Sequence, residues 1–513
     1  AITECYIPLL MVFEKLAADG VDYRITFSLS PTLVAMLEDP LLQERYRKYL
    51  GGLQELARLE EERTAGDPDF APLAGLYREH FDSTAGYFER FNGRLTGAFR
   101  NLSEKGFLEL ITTASTHGYL PLLLHPESAY AQLANAVQYH EAIFREPPRG
   151  IWLPECAYDH GLEKIPGELG LQYFITATHG VLYASPRPKY GVYSPILTKS
   201  GVAAFGRDPE TSKQVWSSQE GYPGDYDYRE FYRDIAYDLP LDYIGPHLHP
   251  PGMRSDTGIK YYRITREGLD YKEPYRPEKA REKAALHAGN FMFNREQQVR
   301  YLAATMGRPP IVIAPYDTEL FGHWWFEGPQ WLDFLCRKIA FDQQHLKLIT
   351  PGEYLDLGYP LQLSNPNPSS WGDKGYHEFW LNGSNDWLYR HLHRAAEEMI
   401  ALATTHQEAE GLTERALGQA ARELMLAQSS DWPFIMTADT MTGYARSRAQ
   451  NHLVRFRELA RQIREGAVDQ SWLSELERAD NVFPHLDYRL YRKLETTAPV
   501  ELAAGAGAGS LSP

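Results

Sequence analysis

Cysteine is scarce: Cys5, Cys156 and Cys336 are the only three in 513 residues. An odd, widely spaced set cannot form a disulfide framework and fits a reducing compartment, so all three are expected to be buried thiols. Concentrated positive charge is missing as well. The 52 Lys and Arg face 68 Asp and Glu, the formal net charge is −16, and no Lys/Arg block occurs. Nucleic acid and anionic membrane are thereby excluded as partners, because both require a basic surface; neutral polyhydroxyl substrates fit better. The longest apolar run, residues 6–13, meets Glu14 and Lys15 at once, well short of the roughly 18 residues of a membrane span. It also lacks the basic start and small-residue cleavage site of a signal peptide. A cytoplasmic protein is expected.

Aromatics are abundant, with 33 Tyr, 22 Phe and 10 Trp making 13% of the chain. Most fill cores, but flat rings also suit the apolar faces of sugars. The length exceeds one comfortable hydrophobic core and implies two or three domains. Short apolar runs alternate with helical patterns, the signature of a parallel α/β architecture. Strands are expected at 23–28, 108–113, 150–154, 173–178, 310–315 and 346–350. An amphipathic helix at 7–16 precedes the first of them, so a further strand is expected upstream of Ala1. A charged helical segment at 41–102 is too long for an ordinary connection and reads as an inserted helical subdomain, and 179–307, rich in Tyr, Gly and Pro, as a second insertion that builds a cleft. Helices at 389–406, 412–427, 444–465 and 471–480 suggest a helical C-terminal domain, and the Ala/Gly-rich 503–510 a disordered tail. The divisions are 1–40 with 103–368, 41–102, 369–496 and 497–513.

Two carboxylates stand immediately after strand-like runs: Glu155 in WLPECAY and Asp317 in APYDTELFGHWW. In a barrel of parallel strands the strand ends share one face, where such distant residues can meet. One ionised and one protonated carboxyl is the chemistry of glycosidic cleavage. Helix capping is the ordinary alternative for either residue, and Glu319 is a rival acid on the same face as Asp317. His247 and His249 have metal-like spacing but no third ligand, and are assigned to a loop.

Those two motifs, together with THGYLPLL (116–123), VWSSQEGYPGDY (215–226), SSWG (369–372) and SSDWPF (429–434), resemble glycoside hydrolase family 57 over nearly the whole chain. Within it the chain is most similar to the α-1,4-glucan branching enzymes. The resemblance implies a (β/α)7 barrel with an inserted helical subdomain and an all-helical C-terminal domain, a retaining double displacement, and no metal or other cofactor. It implies Glu155 as nucleophile, Asp317 as general acid/base, and Tyr190 on a mobile loop that favours transfer over hydrolysis. Substrate contacts fall on His117, Arg207, Trp216, Asp225, His323, Trp371, Trp380 and Trp432, the last also suited to packing the helical end onto the barrel. Of Trp324 and Trp325, one ring is expected in the core and one in the cleft. Family members open with a histidine-bearing strand, whereas no histidine here precedes His80; omission of an upstream segment is expected, since a gap would leave unpaired backbone inside the barrel wall. The expected activity is transfer of an α-1,4-glucan segment to a 6-hydroxyl, with amylose, amylopectin or glycogen as partner and a monomer or homodimer as the state. The alternatives are a 4-α-glucanotransferase or α-amylase of the same family, a glucan-binding protein with impaired catalysis, and, more distantly, a metal-dependent deacetylase.

Overall fold

The computed structural model describes residues 1–216, 221–248, 253–266 and 271–493. The chain opens on a helical turn that runs into helix Ile7–Ala18, whose Ile7, Leu9, Leu10, Phe13 and Leu16 are buried. Gly20, at φ +70°, makes the left-handed turn after it. Seven strands follow: β1 (Ile25–Ser28), β2 (Leu108–Ile111), β3 (Gly150–Trp152), β4 (Tyr173–Thr176), β5 (Ile196–Leu197), β6 (Ala203–Gly206) and β7 (Gln362–Leu363).

β1 pairs with β2 in parallel, Ile25 opposite Leu108. β3, β4 and β6 form a parallel run in which Tyr173 faces Gly150 on one side and Ala203 on the other. Single parallel bridges, Thr112 to Ile151 and Arg207 to Ile313, extend this order at both ends. β5 lies antiparallel to β6 and parallel to β7. The fold is therefore α/β with a mainly parallel sheet; ring closure is not among the pairings of the described residues.

Four expected strands form where the sequence places them, and two do not. The 310–315 run contributes only the bridge at Ile313, since Pro309 and Pro310 supply no N–H to a ladder. At 346–350 no ladder forms: the Gln343 side chain donates to the Leu346 carbonyl at 2.9 Å and accepts from its N–H at 2.6 Å, and Thr350 caps the next helix, Pro351–Asp356. The strand that follows β4 is instead β6, inside the stretch expected to be an insertion. Its AAFG sequence has weak strand propensity, yet all four residues are buried. Gly206 is required there, because a Cβ would lie 2.8 Å from Val192 and 3.0 Å from Val181.

The expected helical segment is realised as helices Pro31–Glu38, Pro40–Thr64, Ala71–Arg90 and Thr96–Glu104. Ser30 and Asp39 cap the first two by accepting from Leu33 N and Leu42 N. Their apolar faces merge with those of Ile7–Ala18, Pro277–Met306 and Gly328–Phe341 in one continuous core. Beyond residue 385, helices Asp386–Thr405, Gly411–Ala427, Asp431–Ala438, Thr442–Glu465 and Gln470–Ala479 surround a separate core that includes Leu392, Met399, Leu424, Phe456 and Leu459. The expected tail lies outside the described residues. No helix among the described residues is long and apolar enough to cross a membrane.

Candidate active site

The carboxylate Glu155 begins where β3 ends. After Pro154 the backbone turns sharply, with Glu155 at φ +59° and Cys156 at φ +52°, a left-handed conformation costly for side-chain-bearing residues. Tertiary contacts hold it: Thr176 donates its hydroxyl to the Cys156 carbonyl at 2.8 Å, the Trp152 indole donates to Cys156 Sγ at 3.1 Å, and Trp371 N–H donates to the Glu155 carbonyl at 3.0 Å. The side chain is fixed as firmly. Trp371 Nε1 donates to Oε2 at 2.7 Å and Ser430 Oγ to Oε1 at 2.9 Å. With the hydroxyl proton committed to Glu155, His117 Nδ1 is the donor to Ser430 Oγ at 2.8 Å; it lies 3.7 Å from Glu155 Oε1.

Asp317 follows the bridging segment at Ile313 and precedes the turn Thr318–Leu320, making no side-chain capping bond to it. Its carboxyl is thus free for chemistry. Burial above all, then the charges of Glu319 and Glu155, push it up from 3.8 to about 6, against smaller opposing effects of His117 and Arg207. Glu319 is held by the Tyr6 hydroxyl, which donates to Oε1 at 2.5 Å, and Cys5 Sγ donates to the neighbouring Thr318 carbonyl at 2.8 Å. All three cysteines are free and buried.

Glu155, Asp317 and Glu319 line one cavity of about 750 Å³. Its walls are aromatic. Trp371 meets Trp152 edge-on at 5.4 Å and Trp216 at 6.3 Å, and Trp216 meets Trp324 at 6.0 Å. Arg207 lies over the Trp371 ring at 5.3 Å, held by Nε donating to Ser212 Oγ at 2.6 Å. Trp380 stacks on Tyr119 at 4.7 Å and borders the cavity from behind. Gly372 permits this, since a Cβ would sit 2.5 Å from the Trp380 ring.

Of the residues implicated by sequence, Glu155, Asp317, His117, Arg207, Trp216, Trp371 and Trp380 therefore converge. Trp324 faces the cavity while Trp325 is 1% exposed in the core, the division expected of that pair. Four others lie outside the cavity wall. His323 is bound to Glu4 Oε2 at 2.7 Å. Asp225 faces Lys283 at 3.5 Å and His287 at 3.6 Å. Trp432 donates to the Leu426 carbonyl at 2.8 Å and packs among the C-terminal helices. Tyr190 lies between Lys189, at 5.0 Å, and Arg308, at 4.4 Å. His247 occupies the turn Gly245–His247; His249 and residues 217–220 of the tryptophan-bearing motif lie outside the described residues.

Ser430 and Tyr6 were not anticipated. Ser430 sits in SSDWPF, where the tryptophan drew attention although the hydroxyl is the group that reaches the carboxylate. Among the described residues, one group has metal-like spacing: Glu423, His452 and Asp480, buried in the helical end and within 4.8 Å of one another. Arg455 pairs with Asp480, and Arg448 approaches it at 3.7 Å, so protein cations already supply the balancing charge.

Two carboxyl groups brought together in an aromatic cleft at the end of a parallel sheet, one of them raised by burial, are the arrangement of a carbohydrate-cleaving enzyme. Sequence comparison gives the same class: the profile of Glycosyl hydrolase family 57 matches residues 1–261, and that of the 1,4-alpha-glucan branching enzyme C-terminal region matches residues 391–491. The chain is an enzyme belonging to glycosyl hydrolase family 57. It is 35% identical to a 1,4-alpha-glucan branching enzyme of Thermococcus kodakarensis, across 94% of this chain and 73% of that protein. Among solved structures it resembles an alpha-amylase from Thermotoga maritima (TM-score 0.90, 43% identity, covering 96% of this chain and 93% of the other). It also resembles a GH57-type branching enzyme from Pyrococcus horikoshii (TM-score 0.86, 34% identity, covering 96% and 92%).

Proposed function

We propose that this protein is an α-1,4-glucan branching enzyme: it cleaves an α-1,4 linkage with retention and transfers the released segment to a 6-hydroxyl. The observation that carries this is the convergence of Glu155 and Asp317 on one aromatic cavity in different electrostatic settings. Glu155, bonded by an indole N–H and a serine hydroxyl, is the ionised nucleophile that attacks the anomeric carbon. Asp317, pushed up to about 6, holds the proton for the leaving oxygen. Once the glycosyl-enzyme forms, the Glu155 charge that had helped raise Asp317 is gone, and Asp317 takes the proton of the incoming 6-hydroxyl. His117 and Ser430 position the nucleophile, while Arg207 and the tryptophans bind sugar.

Water competes with the acceptor, so the site needs a cover. Tyr190, now against Arg308, is the candidate: its loop would swing over the cleft. The parallel order β1, β2, β3, β4, β6 and the Ile313 segment supports a (β/α)7 barrel. The separate core beyond residue 385 supports a helical C-terminal domain, spanning 369–496, and the helices of 41–102 an insertion. The substrate is amylose, amylopectin or glycogen, the role glycogen biosynthesis in the cytoplasm, the state monomer or homodimer, and no cofactor is required.

The resemblance to the alpha-amylase from Thermotoga maritima supports a second reading, hydrolysis. Incubation with amylose followed by isoamylase digestion separates the two. Branching yields new α-1,6-linked chains with few new reducing ends; hydrolysis yields reducing ends and nothing for isoamylase to release. If Glu155→Gln and the unaltered protein both leave amylose intact, the protein only binds glucan.

A further inference from the structure

The aromatic wall of the cleft does not stop at Trp324. That residue lines the cavity and is 43% exposed. The residue before it, His323, turns its ring edge-on to Phe231 at 5.4 Å, and Phe231 in turn meets Tyr232 edge-on at 5.0 Å. Tyr232 is 83% exposed, more than any other large apolar side chain among the described residues.

A single exposed tyrosine needs no explanation, but this one stands on a braced platform. The Phe231 carbonyl accepts from the buried Lys260 ammonium, which also lies 4.6 Å from the Phe231 ring. Glu230 N–H donates to the Tyr262 carbonyl at 2.8 Å, and Tyr232 N–H to Glu230 Oε1 at 3.1 Å. Arg229, buried, pairs with Glu4 at 3.1 Å and lies 3.9 Å from the Phe326 ring; the same Glu4 holds His323. One buried ion-pair network therefore fixes both the end of the cleft wall and the exposed rings beyond it. A cavity of about 750 Å³ is of the size that encloses a small ligand, so a polymeric substrate must leave it across the surface.

We infer that Phe231 and Tyr232 continue the cleft as a docking surface for the part of an α-glucan chain lying outside the cavity. This rests on the proposed α-glucan substrate and adds where the chain runs. The near-perpendicular rings, 86° apart, suit a coiled chain whose successive sugar faces turn, and their lack of charge suits a neutral polyhydroxyl ligand.

The test uses Glu155→Gln, which binds without turnover, and measures dissociation constants for amylose and for maltotriose with and without Tyr232→Ala. The expected result is an amylose constant raised about fivefold or more, a maltotriose constant changed by less than about twofold, and tight amylose binding kept by Tyr232→Trp. Equal constants with and without Tyr232→Ala, or equal losses for both ligands, overturn the docking surface while leaving the α-glucan reading in place. If Glu155→Gln binds neither ligand, the substrate reading falls and this inference with it.

Discussion

Glu155 reaches the cleft through a backbone that few residues tolerate, and its neighbours make that conformation stable. Trp371 is the chief of these, since its main-chain N–H holds the Glu155 carbonyl and its indole N–H the carboxylate. Trp371→Phe keeps a ring but removes the second bond; a charge-assisted hydrogen bond is worth about 1.5–3 kcal/mol, so kcat should fall about 10- to 100-fold with a smaller change in KM, read by steady-state kinetics. Glu319 offers a sharper test. Its charge is the larger of the two carboxylate influences that raise Asp317, so Glu319→Gln lowers the Asp317 pKa. With Asp317 as the proposed proton donor, activity should decline as pH rises through about 6, and in the variant that decline should begin at lower pH. An unmoved profile would remove Glu319 from the tuning of the acid. Glu155 and Asp317, the carboxyls proposed for catalysis, were legible in sequence because each stands in a distinctive motif after an apolar run, β3 for Glu155 and the segment bridged at Ile313 for Asp317. His323 and Asp225 were misplaced because their partners, Glu4, Lys283 and His287, lie far away in sequence and could not be foreseen. Ser430 was hidden because a serine two positions before a tryptophan carries no distinctive pattern of its own.

Among the elements, β5, β6 and β7 were missed, and β6 is the instructive case. Two alanines and a terminal glycine do not read as a strand, and pairing with β4 on one side and β5 on the other makes them one. Helices beyond residue 385 were far more legible, because a long amphipathic repeat states its own extent, whereas Pro277–Met306, inside the second expected insertion, was not read. The loop bearing Tyr190 is tied down near its base: Lys189 N–H donates to Gln362 Oε1 at 2.8 Å, and Gln362 Nε2 to the Arg187 carbonyl at 2.8 Å. If the ring acts by closing over the cleft, Tyr190→Ala should leave cleavage largely intact and raise the ratio of new reducing ends to new branches several-fold. An unchanged ratio assigns the loop no part in excluding water. In the helical end, Phe456 is fully buried in the core of helices beyond residue 385; Phe456→Ala should cost about 3–5 kcal/mol in chemical denaturation.

At the scale of the whole molecule, two of the junctions between distant segments bear on the site. Ser430, from the C-terminal helices, completes the setting of a carboxylate that follows β3, which ties the helical end to catalysis as well as to stability. At the other junction, Glu4 near the start of the chain binds both Arg229 and His323. Burial alone would push the Glu4 carboxyl up, but the His323 hydrogen bond and the Arg229 charge hold it down at about 2. A depressed pKa contributes stability above the ordinary value of 4.5 that is lost as pH falls through about 2. Glu4→Gln should therefore destabilise the protein by about 3–5 kcal/mol near neutrality, because Arg229 stays buried without its partner, and should flatten the loss of stability between those two pH values. Such a junction escapes any reading by motif, since its members are hundreds of positions apart in the chain.

The division of labour between Glu155 and Asp317 is tested most directly by azide rescue with an activated α-glucosyl donor, the product's anomeric form being read by nuclear magnetic resonance. Glu155→Ala leaves room for azide on the nucleophile's side and should give the β-glycosyl azide. Asp317→Ala still forms the glycosyl-enzyme on Glu155 and should give the α-glycosyl azide. The same anomer from both variants, or the two anomers exchanged, would contradict the assignment.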